Sequence, residues 1–504
     1  MTTTAAAGKP VYSGSYKSLV LSLLLLAYTF NFIDRTIIAT IGQAIKVDLK
    51  ISDAQLGMLG GFSFAVLYTI LGIPIARLAE RWNRVSIISL ALVIWSGFTA
   101  LCGTASSFVH LLAYRVGVGV GEAGCSPPAH SLISDYYEPK KRATALSIYS
   151  FGIPLGTMIG AVAGGWLAQN LSWRLAFVIV GLPGVIMALF VKLLIKEPPR
   201  GHSNIPEHPN LAEDVVVEAE KIAPFSFRGE LKELGAVAAR LFTKWPVLNM
   251  VLGVTIASFG SYGSGQFVPP YFIRAFHLNY AEVGLIVGLI GGFSAGIGTL
   301  VGGFASDWAG KKSARWYALV PAIGLTIATP IYIAAYLQPS WQTAALILLV
   351  PGIFHYTYLG PTFGVVQNVV ETRRRATATA LLFFFLNFIA LGFGPPFTGW
   401  MIDQFAQFNF NHPQFQDAVS SFMGMLGGGG QATPSGSFSA LCPGGIGAPG
   451  AGAAVDAHCK GTLVLATRQG IIVAILFYLW AALHYLLGSF GLVKEMKAAA
   501  ARPS

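Results

Sequence analysis

Four ionisable residues stand inside long apolar stretches of the chain: Asp34 and Arg35 in one, Arg115 and Glu122 in another. An ionisable group at bilayer depth costs roughly 2.5–3.5 kcal/mol on insertion scales, so it faces a cavity or a partner and is a functional candidate by default. Arg115 and Glu122 are seven residues apart, two helical turns, which puts them on one face with about 10 Å of rise between them. They cannot simply pair with each other. Asp34 is a candidate partner for Arg115, and Arg35 for Glu122. A carboxylic acid that exchanges an arginine contact for a substrate contact can load and unload a proton, a role open to Glu122 and to Asp34, whereas arginine stays charged. The bland alternative is a static buried ion pair that fixes helix packing.

The elements that must position these groups follow from composition. Of 504 residues, 54% are hydrophobic and only 11% charged, where a soluble domain carries about 25% charged residues. Mean hydropathy is +0.62. Apolar stretches long enough to cross a bilayer core of ~30 Å recur along the chain, which excludes a soluble enzyme. They read as twelve helices near 18–42, 53–76, 86–104, 108–136, 142–168, 172–195, 247–273, 280–305, 316–337, 342–370, 376–402 and 466–492. The first holds Asp34 and Arg35 and lacks a small-residue cleavage site, so it reads as a retained helix. Ser52 with Gln55, and Asn279 with Glu282, are capping-box patterns at the second and eighth starts. The net charge of +11 resides between helices, so it signals topology rather than a nucleic-acid surface.

Alternate loops differ in basic residues. One set holds Arg77, Arg81, Arg84, Lys140, Lys141, Arg142, Lys311, Lys312, Arg315, Arg373, Arg374, Arg375, Lys494 and Lys497; the other is sparse, with Lys46, Lys50, Arg174, Arg274, Lys460 and Arg468. The positive-inside rule makes the first set cytoplasmic. The expected organisation is a cytoplasmic tail (1–17), a six-helix half (18–195), a cytoplasmic linker with an amphipathic helix (196–246), a second half (247–492) and a cytoplasmic tail (493–504). The expected setting is the plasma (inner) membrane, both termini inside. Residues 403–465 form an outside loop whose Gly, Ala and Pro content reads as mostly disordered. Cys442 and Cys459 are the cysteines outside the helices, and an oxidising compartment permits a disulfide between them. Cys102 and Cys125 read as packing residues.

The halves repeat. Arg142-Ala143-Thr144-Ala145 opens the fifth helix as Arg375-Ala376-Thr377-Ala378 opens the eleventh. The loop from Ala76 through Glu80, Arg81 and Arg84 parallels that from Gly303 through Asp307 and Lys311. Two duplicated halves are the build of rocking transporters. These loops resemble the Gly-x-x-x-Asp-Arg-x-Gly-Arg-Arg motif of the major facilitator superfamily, with Glu80, Asn83 and Trp308 as departures. The resemblance implies cytoplasmic latches at Glu80, Arg81, Arg84, Asp307, Lys311, Arg142 and Arg375. More narrowly, Asn31-Phe32-Ile33-Asp34-Arg35, Arg115 through Ala123 with its alternate glycines, and Tyr149 through Gly156 together resemble the spinster group, which includes lysolipid and sphingosine-phosphate transporters. That resemblance places Asn31 with Asp34, Arg35, Arg115 and Glu122 in a substrate and proton site.

Other signals are weaker. Gly119 through Gly124 matches GxGxxG, but without a βαβ context; its glycines read as allowing close helix approach. Gly310-Lys311-Lys312-Ser313 falls short of a phosphate loop, so a gradient is the expected energy source. No catalytic residue, cofactor or metal site is expected, and the functional unit is expected to be a monomer. Gly152, Pro154 and Gly156 read as a flexible or tightly packed segment of the fifth helix. Tyr149, His355, Tyr356 and Tyr358, with His130, are candidate cavity-lining residues. The expectation is a secondary transporter, proton-coupled, moving a lysophospholipid or related amphiphilic anion. Alternatives are a small organic acid transporter and, in other classes, a membrane enzyme or a non-transporting receptor or scaffold.

Overall fold

The computed structural model describes residues 12–200, 202, 227–370, 375–414, 420, 423–425, 427 and 436–500. Among them, eleven helices are long and apolar enough to cross a membrane: Gly14–Thr40, Asp53–Gly72, Arg84–Cys102, Thr144–Asn170, Trp173–Leu194, Trp245–Phe276, Tyr280–Gly310, Trp316–Tyr336, Trp341–Asn368, Thr377–Asn411 and Ala453–Ser489. The remaining span, fourth in order, is broken. Where one helix over 108–136 is expected, the chain forms Phe108–Glu122 and Ser126–Tyr136. The interruption has a local cause, because Pro127 and Pro128 have no N–H to donate back across it. The fold is an all-α membrane bundle of twelve spans in two pseudo-symmetric six-span halves.

Both capping boxes form, Ser52 with Gln55 and Asn279 with Glu282. The first span is extended past Ile41 by a second helix, Gly42–Leu49. The eleventh and twelfth spans run beyond the expected 376–402 and 466–492, to Asn411 and back to Ala453. The expected loop over 403–465 is thereby shortened to 412–452, and its later part carries the short helices Phe438–Leu441 and Pro443–Gly445. Cys442 and Cys459 are joined by a disulfide. Most of the expected linker lies outside the described residues. Its end is the helix Phe227–Thr243, which buries Val237 and Leu241 and donates from Arg240 Nε to the Val369 carbonyl at 3.5 Å.

Glycine sets the helix spacing. A Cβ on Gly156 would stand 2.4 Å from the Thr29 carbonyl oxygen, and one on Gly160 2.9 Å from Ile33 Cα. Of the two readings for the fifth helix, close packing on the first is the one its geometry displays. The helix is interrupted at Phe151, between Pro139–Ser150 and Gly152–Asn170. At its far end it crosses to the second half, where a Cβ on Gly165 would come within 2.2 Å of the Tyr280 carbonyl and Gln169 accepts from the Tyr280 amide at 3.2 Å.

The span order gives the bundle two ends: a basic end, where Arg84, Lys141, Lys311 and Lys494 lie, and a sparse end, where Lys46, Arg174, Arg274 and the 412–452 loop lie. Among the described residues, the ion pair that joins the halves is Arg274 to Asp53, at the sparse end.

Candidate functional site

Arg115 and Glu122 are brought inward by the glycines between them. A Cβ would stand 2.5 Å from the Phe98 ring at Gly117, 2.6 Å from the Phe64 carbonyl at Gly119 and 2.5 Å from the Trp95 amide at Gly121. The fourth span can therefore press against the second and third. Opposite it stands the first span with Asn31, Asp34 and Arg35. The pairing is Arg35 Nε to Glu122 Oε2 at 2.8 Å, with Glu122 fully buried and the Arg35 side chain 20% exposed. The other proposed partner fails to engage: Arg115 Nε donates instead to the Leu59 carbonyl, at 3.4 Å. The Arg35 guanidinium lies 4.5 Å from the Phe64 ring centre, 4.8 Å from Tyr68 and 5.1 Å from Phe32. Such ring faces attract a cation.

Asn31 Oδ1, Asp34 Oδ1, Arg115 Nη1 and Glu122 Oε1 are buried without a hydrogen-bond partner among the described residues. Leaving a buried polar atom unpaired costs about 1–3 kcal/mol. The four atoms converge from two facing helices. Chemically the group offers two permanent cations, two carboxyls that can exchange protons, and an aromatic wall.

The remaining expected cavity residues divide. Tyr149 is buried, stacked on Tyr28 at 4.4 Å with His130 edge-on at 5.3 Å. His355 and Tyr358 are buried in the second half. His355 stacks on Tyr478 at 4.4 Å, and its Nδ1 meets the Tyr332 hydroxyl at 3.4 Å. Tyr356, half-buried, packs against that imidazole at 4.5 Å. A separate apolar groove of about 610 Å³, lined by Met158, Val162, Trp166, Leu285 and Leu289 among others, opens on the flank of the fifth and eighth spans. It includes none of the ionisable cluster.

At the basic end, Arg84 is fully buried, and its partners are Asp135 at 2.5 Å and Glu197 at 2.6 Å. Ser131 and the Pro198 carbonyl complete its bonds, at 2.8 and 3.1 Å. Arg142 donates to the Ser134 carbonyl at 2.8 Å. Asp307 accepts from the Tyr317 hydroxyl at 3.2 Å, while Lys311 and Arg81 are exposed. The Glu80 and Arg375 side chains lie outside the described residues.

Sequence reading missed the sparse-end cluster. Asp53 receives Lys46 Nζ at 2.8 Å and Arg274 Nη2 at 2.6 Å. Arg274 also donates to Gln43 at 2.7 Å and to Thr467 at 2.7 Å. Asp403 accepts from the Asp53 and Ala54 amides at 3.0 and 2.9 Å, an anion on a helix N-terminus. Asp53 had been legible only as the first residue after a cap, and no local spacing ties it to an arginine 221 positions away.

The model of the Major Facilitator Superfamily matches residues 24–395. A solved bacterial homologue of the human lysosomal transporter Spinster, inward-facing and unoccupied, is 35% identical with a TM-score of 0.78, covering 96% of this chain and 99% of its own. The hexuronate transporter of Bacillus subtilis is 27% identical over 77% of this chain and 89% of its own. The sphingosine-1-phosphate transporter SPNS2 of Xenopus tropicalis is 26% identical over 76% and 74%. The chain belongs to the major facilitator superfamily of membrane transporters, in its spinster-like group, and is not an enzyme.

Proposed function

We propose that the chain is a proton-coupled secondary transporter of an amphiphilic anion, of lysophospholipid type, working by alternating access. The observation that carries the reading is the Arg35–Glu122 pair, set among aromatic rings and beside unpartnered Asp34 and Arg115 atoms. Protonating Glu122 removes the charge that holds Arg35 and frees the guanidinium for a substrate anion, while the rings accept apolar surface. Arg115 supplies the second cation. The basic end is taken as cytoplasmic by the positive-inside rule, so a bundle joined at its sparse end is closed outward.

The test is transport into proteoliposomes. Glu122→Gln keeps shape but cannot titrate, so gradient-driven uptake is lost while ligand binding persists; Arg115→Ala instead weakens anion binding. Full gradient-driven transport by well-folded Glu122→Gln and Asp34→Asn variants refutes the proton role. Similarity to a hexuronate transporter favours a second reading, a sugar acid held by the same arginines. Thermal-shift binding of lysophospholipids against hexuronic acids separates the two.

A further inference from the structure

The loop before the last span has a part in the fold that its composition conceals. Among the described residues, its hydrogen bonds and its disulfide anchor it in the second half. Gln407 of the eleventh span accepts from the Phe438 amide at 2.8 Å and donates to the Gly436 carbonyl at 3.1 Å. Asp456 of the twelfth accepts from the Gly447 amide at 2.9 Å. The Cys442–Cys459 disulfide ties the turn between them to the same helix, and the Ala448 amide closes the turn onto the Leu441 carbonyl at 2.9 Å.

The turn nevertheless lies against the first half. A Cβ on Gly444 would stand 3.2 Å from the Lys46 carbonyl oxygen and 3.3 Å from Val47 Cα. One on Gly445 would be 3.6 Å from Lys46 Cε and 2.3 Å from Leu463. Both glycines have positive φ, 72° and 91°, where a side chain is strained. Glycine therefore suits the conformation at both positions and, at Gly444, the close approach to the first half. What the turn covers is Lys46, only 2% exposed, whose ammonium sits on Asp53 beside Arg274. Keeping water out strengthens the attraction of Lys46 and Arg274 for Asp53, and the turn forms part of the cover.

We propose that residues 438–452 are a disulfide-pinned strap that caps the inter-half lock at the sparse end and biases the bundle toward closure there. The strap belongs to one half and seats on the other, so opening that end must lift it from Lys46 and Val47. This rests on the alternating-access reading above.

Hydrogen–deuterium exchange on the full chain in detergent, with neither substrate nor gradient, tests it. Two variants loosen the strap independently. Cys442→Ser/Cys459→Ser releases its pin, and Gly444→Val wedges it from Lys46 with the disulfide intact. Each is expected to raise exchange over residues 41–54 by about fivefold or more, as a shift in the opening equilibrium does. Asp53→Asn is the comparator, breaking the lock directly. If Asp53→Asn raises exchange there but both strap variants leave it at the parent value, the strap is refuted and alternating access stands. If none of the three does, both readings fail.

Discussion

Asp53→Asn is the sharpest perturbation of the bundle's two-state balance. The Asp53 carboxylate is fully buried, and the Lys46 and Arg274 side chains are only 3% and 4% exposed, so solvent screening does not weaken the pairs. In the variant the amide NH2 confronts one of two cationic donors, leaving a buried positive charge uncompensated. Removing one partner of a buried pair costs about 3–5 kcal/mol. That penalty exists only while the sparse end is closed, because opening lets water reach both cations. An equilibrium penalised by about 3 kcal/mol moves by roughly two orders of magnitude. A reporter Thr40→Cys, at a position fully buried in the closed bundle, with Cys102 and Cys125 replaced by alanine, reads this as maleimide labelling rate. We expect labelling to rise about a hundredfold, or to the ceiling of a freely accessible thiol. Arg274→Gln is expected to act the same way, and the double variant to add far less than the sum, since one pair is broken twice. Monodisperse Asp53→Asn protein labelling at the parent rate would overturn the reasoning.

Three further outcomes are expected. Arg84→Ala removes the buried cation shared by Asp135 and Glu197, whose side chains are 12% and 22% exposed, so destabilisation falls near the lower end of about 3–5 kcal/mol; an unchanged thermal melt contradicts this. Gly156→Ala is expected to lower the melting temperature because its Cβ meets the Thr29 carbonyl at 2.4 Å, whereas Gly97→Ala, with nothing within 4 Å, leaves it equal or higher through helix propensity; equal melts for both variants contradict the packing account. Tyr149→Phe keeps the stack on Tyr28 and removes a buried hydroxyl that makes no close hydrogen bond, so the melt is expected to hold or rise, and a fall shows that its looser approach to Ser126 and Cys125 is stabilising.

Legibility from sequence tracked the range of each interaction. Spans, capping boxes and the half repeat were legible because hydropathy and caps are local signals. So were Arg35 and Glu122, since charge in an apolar stretch marks itself, although the choice between an Asp34–Arg115 pair and an Arg35–Glu122 pair needed the packing that glycines 117, 119 and 121 create. The break after Glu122 had its signal in Pro127-Pro128, overridden in reading by the apolar run around it. Arg84 was legible as a basic loop residue, but its partners Asp135 and Glu197 lie 51 and 113 positions away. Residues 436–452 of the Gly-rich loop pack against the bundle where composition reads as mostly disordered, because composition does not register a neighbour across the bundle.

The arrangement of charges also constrains how binding can be coupled to opening. Arg35 and Glu122 both belong to the first half, so if that half moves as a rigid body their bond neither helps nor opposes the movement. Asp53 and Arg274 belong to different halves, and their bond must break. Protonation of Glu122 alone therefore cannot drive opening; it changes only what Arg35 can hold. A ligand can shift the balance only by its differential affinity for the two states, which requires contact with the second half as well. Tyr262 of the seventh span is 40% exposed and interacts electrostatically with Arg35 of the first half, which makes it a candidate second contact. Tyr262→Ala is then expected to leave the affinity of an Arg35-bound anion nearly unchanged while abolishing the ligand's effect on Thr40→Cys labelling. Loss of binding with the labelling response intact would place the coupling elsewhere.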